Sequence, residues 1–167
     1  MGTYSYAVLS QETKQILHSY TSKLSIPNAV RPDKFHVTVL YSNKTLEDYV
    51  PAPVYTHELT ATGVKFVVWP TNTTPCLVLI LDCPDLVNHH LFLMKKYDAE
   101  YDFPEYIPHV TLSYDIGMYD VDILNKCIGC LPPLTIVGEC AEMLDKDCNI
   151  KSCTINKTVD SFITSLV

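Results

Sequence analysis

Two short runs, His36-Val37-Thr38-Val39-Leu40 and His109-Val110-Thr111-Leu112-Ser113, constrain this chain more than any other feature. Each alternates polar with hydrophobic residues, and each is followed by a tyrosine, Tyr41 or Tyr114. Alternation rich in β-branched residues predicts a strand, in which residues i and i+2 share a side. His36 and Thr38 then share one face, with Val37 and Val39 on the other. His109 and Thr111 stand likewise against Val110 and Leu112. One such histidine in a strand is ordinarily structural. Two copies 73 residues apart are a repeat. Each also follows a polar, proline-containing stretch, Arg31-Pro32-Asp33-Lys34-Phe35 or Pro104-Glu105-Tyr106-Ile107-Pro108. Facing each other, the two strands supply a base, an acid and two hydrogen-bond donors around one group. Cleaving a phosphodiester without a metal requires that set.

The surroundings of the motifs repeat as well. Tyr4 to Leu9 alternates as a strand, with Tyr4 and Tyr6 on one face. Ser10 is a helix N-cap ahead of Glu12 and Gln15, and Ile16, Leu17, Tyr20 and Leu24 give that helix an apolar side. A loop through Pro27 and Pro32 leads into the first motif. In the second half, strands are expected at 59–68 and 76–82. Pro84-Asp85 opens a helix carrying Leu86, Val87, Leu91, Met94 and Tyr97, and a loop through Pro104 and Pro108 leads into the second motif. A short helix near 121–130 and strands near 134–144 and 148–155 complete the pattern. Strand, helix, proline loop and His-Thr strand thus occur twice in order. The expected fold is α+β, with two pseudo-symmetric lobes whose sheets flank a central cleft, helices outside, in one domain over residues 1–167.

Composition narrows the partners. The chain has 12 Lys+Arg against 19 Asp+Glu, a net charge of −7, which argues against a grip on long RNA or DNA. A small nucleotide remains compatible, because one local site can hold one or two phosphates. No run of 18 apolar residues occurs and the N-terminus has no signal-peptide pattern, so a cytoplasmic protein without membrane contact is expected. Seven cysteines with no secretory signal are expected to be free thiols. Cys127-Ile128-Gly129-Cys130 has the spacing of half a zinc site, but Cys140, Cys148 and Cys153 form no second tight pair. It runs into Leu131-Pro132-Pro133, as a helix end would. No metal and no cofactor are therefore expected, and His89-His90 reads as a surface pair on a helix.

The paired motifs in a chain of this size and organisation resemble the two-histidine (2H) phosphoesterase superfamily, whose fold is LigT-like. The superfamily includes 2′,3′-cyclic nucleotide phosphodiesterases, 2′,5′-oligoadenylate phosphodiesterases and a phage group of anti-CBASS nucleases. The resemblance carries catalytic roles onto His36, Thr38, His109 and Thr111. Within the superfamily the chain looks most like the anti-CBASS protein 1 group of T-even-type phages. It shares their small size and acidity, tyrosines in the first strand, a single tryptophan between the motifs and a glutamate after the second. In that group such residues help hold the nucleotide. The matching positions are Tyr4 or Tyr6, Trp69, and Glu139 or Glu142.

The resemblance implies an enzyme that linearises cyclic di- and trinucleotide messengers of a bacterial defence system. Its mechanism would be attack by the ribose 2′-OH through a 2′,3′-cyclic phosphate. One neutral histidine takes the 2′-OH proton and the other, protonated, supplies the leaving 5′-oxygen. Which is which stays open. Trp69, ending Val67-Val68-Trp69-Pro70, is either a core residue or a stacking platform for a base. Glu139 is either solvent-facing, or it binds a base edge or orients a catalytic group. The competing functions are a 2′,3′-cyclic nucleotide or 2′,5′-oligoadenylate phosphodiesterase, and a non-catalytic sponge. Acidity weighs against the first, and two complete titrating motifs weigh against the second.

Overall fold

The computed structural model describes residues 2–101, 103, 105–144 and 150–153. Strand β1 spans Gly2–Leu9, and Ser10 then turns the chain into helix α1, Gln11–Lys23, its hydroxyl accepting from the Thr13 amide at 3.1 Å. After a 3₁₀ turn at Pro32–Lys34, the first motif forms strand β2, His36–Ser42. Strands β3, Leu59–Trp69, and β4, Cys76–Asp82, make an antiparallel pair. Pro84 opens helix α2, Pro84–Tyr97, at a position where its missing N–H costs nothing. The second motif is strand β5, His109–Ser113, followed by the short helix α3, Val121–Lys126. Strands β6, Leu134–Leu144, and β7, Ile150–Cys153, complete the described chain. The strand expected near 148–155 is β7; residues 148, 149, 154 and 155 lie outside the described residues.

The two halves have matching topology. β6, β1 and β2 form one antiparallel layer, and β3, β4 and β5 form the other. β1–α1–β2 corresponds to β4–α2–β5, while β6 flanks β1 as β3 flanks β4. The lobes meet where β2 lies antiparallel to β5 through the pair Val37 and Val110. They meet again where Leu59–Ala61 of β3 pairs with Leu134–Ile136 of β6. The two lobe sheets are thereby continuous at both junctions, a closure that alternation alone does not reveal. Closing them pairs edges that would otherwise leave backbone groups unsatisfied.

One face of this sheet is core. Val37, Val39, Val110 and Leu112 are fully buried together with Ala7, Leu9, Leu77 and Leu79. Helices α1 and α2 cover them with Leu17, Leu86 and Leu93. Each such leucine contributes about 1.5–3 kcal/mol by leaving water, which holds the valine side of both motifs inward. The histidine side must then face outward. At one place the sheet is lapped by a loop: the Glu139 amide donates to the Ala52 carbonyl and the Tyr55 amide to the Val137 carbonyl. Gly138 is required there, since a Cβ would collide with the Pro53 carbonyl.

Candidate active site

The single register pair between β2 and β5 determines the site. With Val37 opposite Val110 in an antiparallel pair, His36 stands opposite Thr111 and Thr38 opposite His109. Both valines point into the core, so all four polar side chains project from the other face. Each is half-buried, neither sealed in nor free in water. Two histidines and two hydroxyls thus form a four-cornered patch with approximate two-fold symmetry.

The proline-containing stretches before each motif orient the rings. His36 Nδ1 lies 2.8 Å from the Lys34 carbonyl, and His109 Nδ1 lies 2.8 Å from the Ile107 carbonyl. A carbonyl only accepts, so Nδ1 carries the proton in both rings and Nε2 is the reactive nitrogen. The same device, a carbonyl two residues upstream, serves both halves. His109 is held below the ordinary histidine range by burial; the Ile107 carbonyl works against this, and the nearby His36 adds to it. Its resting form is therefore neutral at pH 7.

Tyr4 joins two members of the patch. Its hydroxyl lies 2.8 Å from His36 Nε2 and 3.0 Å from Thr38 Oγ1. Where His36 is neutral, Tyr4 donates to Nε2 and Thr38 donates to Tyr4; where His36 is protonated, Nε2 donates to Tyr4 and Tyr4 to Thr38, which frees the Thr38 hydroxyl to donate elsewhere. Burial pushes the Tyr4 phenol up to about 12, so it stays protonated. Tyr6, two residues on, stands on the same face with its ring centroid 5.3 Å from that of His36. On the other lobe, Trp69 ends β3 with its ring edge-on to His109, centroids 4.4 Å apart. Trp69 is half-buried beside the patch and not a core residue.

The two glutamates part company. Glu142 pairs across the sheet with Tyr4, whose phenol its charge helps to raise, and so stands on the histidine face. Glu139, three residues earlier, faces the opposite way and is 1% exposed. It is neither solvent-facing nor next to the histidines. Its carboxyl accepts from the Ser5 hydroxyl at 2.6 Å and the Tyr55 hydroxyl at 3.1 Å, and His89 Nε2 lies 2.6 Å away. Burial pushes this carboxyl up to about 7 against the pull of the Ser5 bond, and burial lowers His89. The apolar run before Glu139 hid this role, because sequence alternation does not say what lies behind a sheet.

His89 and His90 also depart from expectation. His90 is 3% exposed, stacks on Tyr106 at 4.1 Å between centroids, and donates from Nδ1 to the Val39 carbonyl at 2.7 Å. Tyr106 donates its hydroxyl to the Thr38 carbonyl at 2.7 Å. Two consecutive carbonyls of β2 are therefore held by a stacked pair from α2 and from the loop before His109. Tyr106 ties the approach of one motif to the strand of the other. Its place in the second proline loop was the only sequence signal for it.

Among the described residues no cluster of three His, Cys, Asp or Glu is placed to hold a metal ion. Cys127 and Cys130 end α3 and the 3₁₀ turn after it, as the Leu131-Pro132-Pro133 run implies, and both are free thiols. No described helix is long and apolar enough to cross a membrane.

Comparisons with known proteins place the chain in a family and identify its fold. The family described as "Anti-CBASS protein Acb1" matches residues 1–151. The Acb1 protein of Vibrio phage KVP40 is 39% identical over 68% of this chain and 73% of its own. That of Escherichia phage RB16 is 31% identical over 92% and 86%, and that of Enterobacteria phage T4 is 35% identical over 70% and 74%. Among solved structures, E. coli LigT complexed with 3′-AMP superimposes with a TM-score of 0.56 at 14% identity, covering 87% of this chain and 90% of that one. TT0787 of Thermus thermophilus gives 0.55 at 13%, covering 92% and 95%. The paired His-Thr strands lie in a LigT-like fold, that of the 2H phosphoesterases, and by sequence the chain belongs to the Anti-CBASS protein Acb1 family.

Proposed function

We propose that this protein is a metal-independent phosphodiesterase that linearises cyclic di- and trinucleotide messengers, and so antagonises CBASS immunity in the cytoplasm of an infected bacterium. The observation that carries the reading is the antiparallel pairing of the two motifs, with both Nε2 atoms on the open face. His109, neutral and desolvated, is the base: its Nε2 takes the proton of the ribose 2′-OH as that oxygen attacks the adjacent phosphorus. His36, protonated, gives its Nε2 proton to the departing 5′-oxygen. The products are a 2′,3′-cyclic phosphate on one side and a free 5′-OH on the other. A second round in the reverse sense, with water as nucleophile, would open the cyclic phosphate.

Thr38 and Thr111 donate to the non-bridging oxygens, where charge grows, and a preorganised donor of this kind is worth roughly 3 kcal/mol. The Tyr4 hydroxyl holds the His36 and Thr38 corner together before substrate arrives. Trp69 and Tyr6, half-buried aromatics at opposite ends of the patch, are the surfaces for the bases, at about 1–3 kcal/mol per stacked base. Glu142 is the glutamate suited to contact substrate from the histidine face.

The test compares a cyclic ribonucleotide with its 2′-deoxy counterpart, with excess EDTA present in both. Cleavage of the ribo form alone, undiminished by EDTA, is expected. Cleavage of both would make water or a protein group the nucleophile, and loss of activity on chelation would make the reaction metal-dependent. Binding without cleavage would leave a sponge. Turnover confined to 2′,3′-cyclic mononucleotides or 2′,5′-oligoadenylate would reassign the substrate.

A further inference from the structure

Each catalytic histidine begins a cross-strand row on the open face of the sheet. In one lobe the row is His109, Ile80 and Lys65; in the other it is His36, Val8 and Gly138. The topology makes Lys65 and Gly138 counterparts, and they differ completely. Over Gly138 the loop brings the Pro53 carbonyl to the place where a side chain would begin, and a carbonyl oxygen repels an anion. At the counterpart position stands an exposed lysine.

Three observations make Lys65 more than a solvated surface charge. By alternation it shares its face with Val67 and Trp69, and Trp69 touches His109; Phe66 between them is buried in the core. The backbone beneath it is locked on both edges, by β4 on one side. On the other, the Phe66 amide donates to Asn125 Oδ1 at 2.8 Å and Asn125 Nδ2 donates to the Phe66 carbonyl at 3.0 Å. Lys65 also has no ion pair among the described residues, whereas Arg31 pairs with Asp33, and Lys44 with Asp98 and Glu100. In a chain of net charge −7, a lysine without an ion pair two strands from His109 is available to a phosphate. At about 4.8 Å per strand step its Cα is roughly 10 Å from that of His109, and a four-carbon stem spans the row of Ile80.

We propose that Lys65 is the anchor for a second, non-scissile phosphate of the substrate, which makes it a specificity residue for substrates with more than one phosphate. The inference rests on the cyclic-oligonucleotide reading above. While one phosphate lies among His36, Thr38, His109 and Thr111, the next phosphate of the ring extends along the His109 row to the Lys65 ammonium. The opposite direction is closed by the Pro53 carbonyl.

The experiment uses Lys65→Met and Lys65→Arg beside the wild type, with 3′,3′-cyclic di-AMP as the two-phosphate probe and the dinucleotide ApA as the one-phosphate probe. Lys65→Met should raise KM for the cyclic probe by roughly tenfold or more, the loss expected for one charged hydrogen bond, with kcat within about threefold. Its KM should also depend less steeply on salt, because one phosphate contact is gone. Lys65→Arg should restore most of the affinity. ApA, cut or merely competing, should keep its KM or Ki in every variant. An unchanged KM and salt slope in Lys65→Met, or an equal loss on ApA, overturns the assignment. A wild type that never cuts the cyclic probe instead overturns the substrate reading and this inference with it. That failure is seen without any variant, so the two are distinguishable.

Discussion

Replacing Tyr106 with phenylalanine isolates the bond that joins the two motifs. The substitution keeps the ring that stacks on His90 and removes only the hydroxyl that donates to the Thr38 carbonyl at 2.7 Å. Burial pushes this phenol well above the ordinary tyrosine range, so it is a neutral donor at any pH of interest. Without it a partly buried carbonyl on β2 loses a partner, at a cost of about 1–3 kcal/mol. For a chain of this length about 2 kcal/mol corresponds to a fall in Tm of about 4–8 °C. The matched control is Tyr119→Phe, which removes a hydroxyl donated at 2.6 Å to the Leu24 carbonyl, an acceptor that belongs to neither motif. Both variants should lose comparable stability in thermal unfolding. Only Tyr106→Phe should also lose turnover, about tenfold in kcat with KM nearly unchanged, because Thr38 moves relative to His109 and small misplacements are costly. Equal turnover in the two variants would refute the claim that Tyr106 positions the site. An unchanged Tm in Tyr106→Phe would refute the energetic argument itself.

Other outcomes follow from the same geometry. His36→Ala and His109→Ala should each remove most turnover while circular dichroism stays native; Thr38→Val and Thr111→Val should each cost roughly 3 kcal/mol or less in kcat/KM. A His109→Ala enzyme near wild-type rate would end the two-histidine mechanism. Because burial lowers His109, its neutral form persists below the ordinary histidine pKa. The acid limb of kcat/KM should therefore fall below pH 6.5, and a limb at or above 6.5 would contradict the assignment of His109 as base. The Glu139 carboxyl is raised in the folded state to about 7, so its protonated form favours folding below the unfolded value of 4.5, and this contribution is lost as pH rises through 7. Glu139→Gln should accordingly gain on the wild type between about pH 5 and 8, by on the order of 3 kcal/mol in urea unfolding at the upper end. Parallel pH profiles for the two proteins would show that His89, by protonating, keeps the carboxylate charged without cost.

The sequence by itself determined the repeated unit and which of its side chains share a face. Alternation in 36–40 and 109–113 dictates that histidine and threonine share a face, because burying the intervening valines and leucines is worth several kcal/mol and a strand has only two sides. Ser10 and Pro84, each ahead of an apolar periodic run, mark where helices begin, because a capping hydroxyl and a residue without N–H suit a helix start. Such preferences are local and need no knowledge of neighbours. What lay beyond reach was everything decided between strands. Which of two glutamates three residues apart stands with the histidines depends on the register of β6 against β1, and this places Glu142 beside Tyr4 and Glu139 behind the sheet. Of the histidine pair expected at the surface, His90 became a buried clamp because α2 packs on β2, and only packing brings it under the Val39 carbonyl. The difference between Lys65 and Gly138 arises only when strands distant in the chain fall into corresponding rows. Local physical chemistry chose the strands and helices; long-range hydrogen bonding and packing chose which side chains meet.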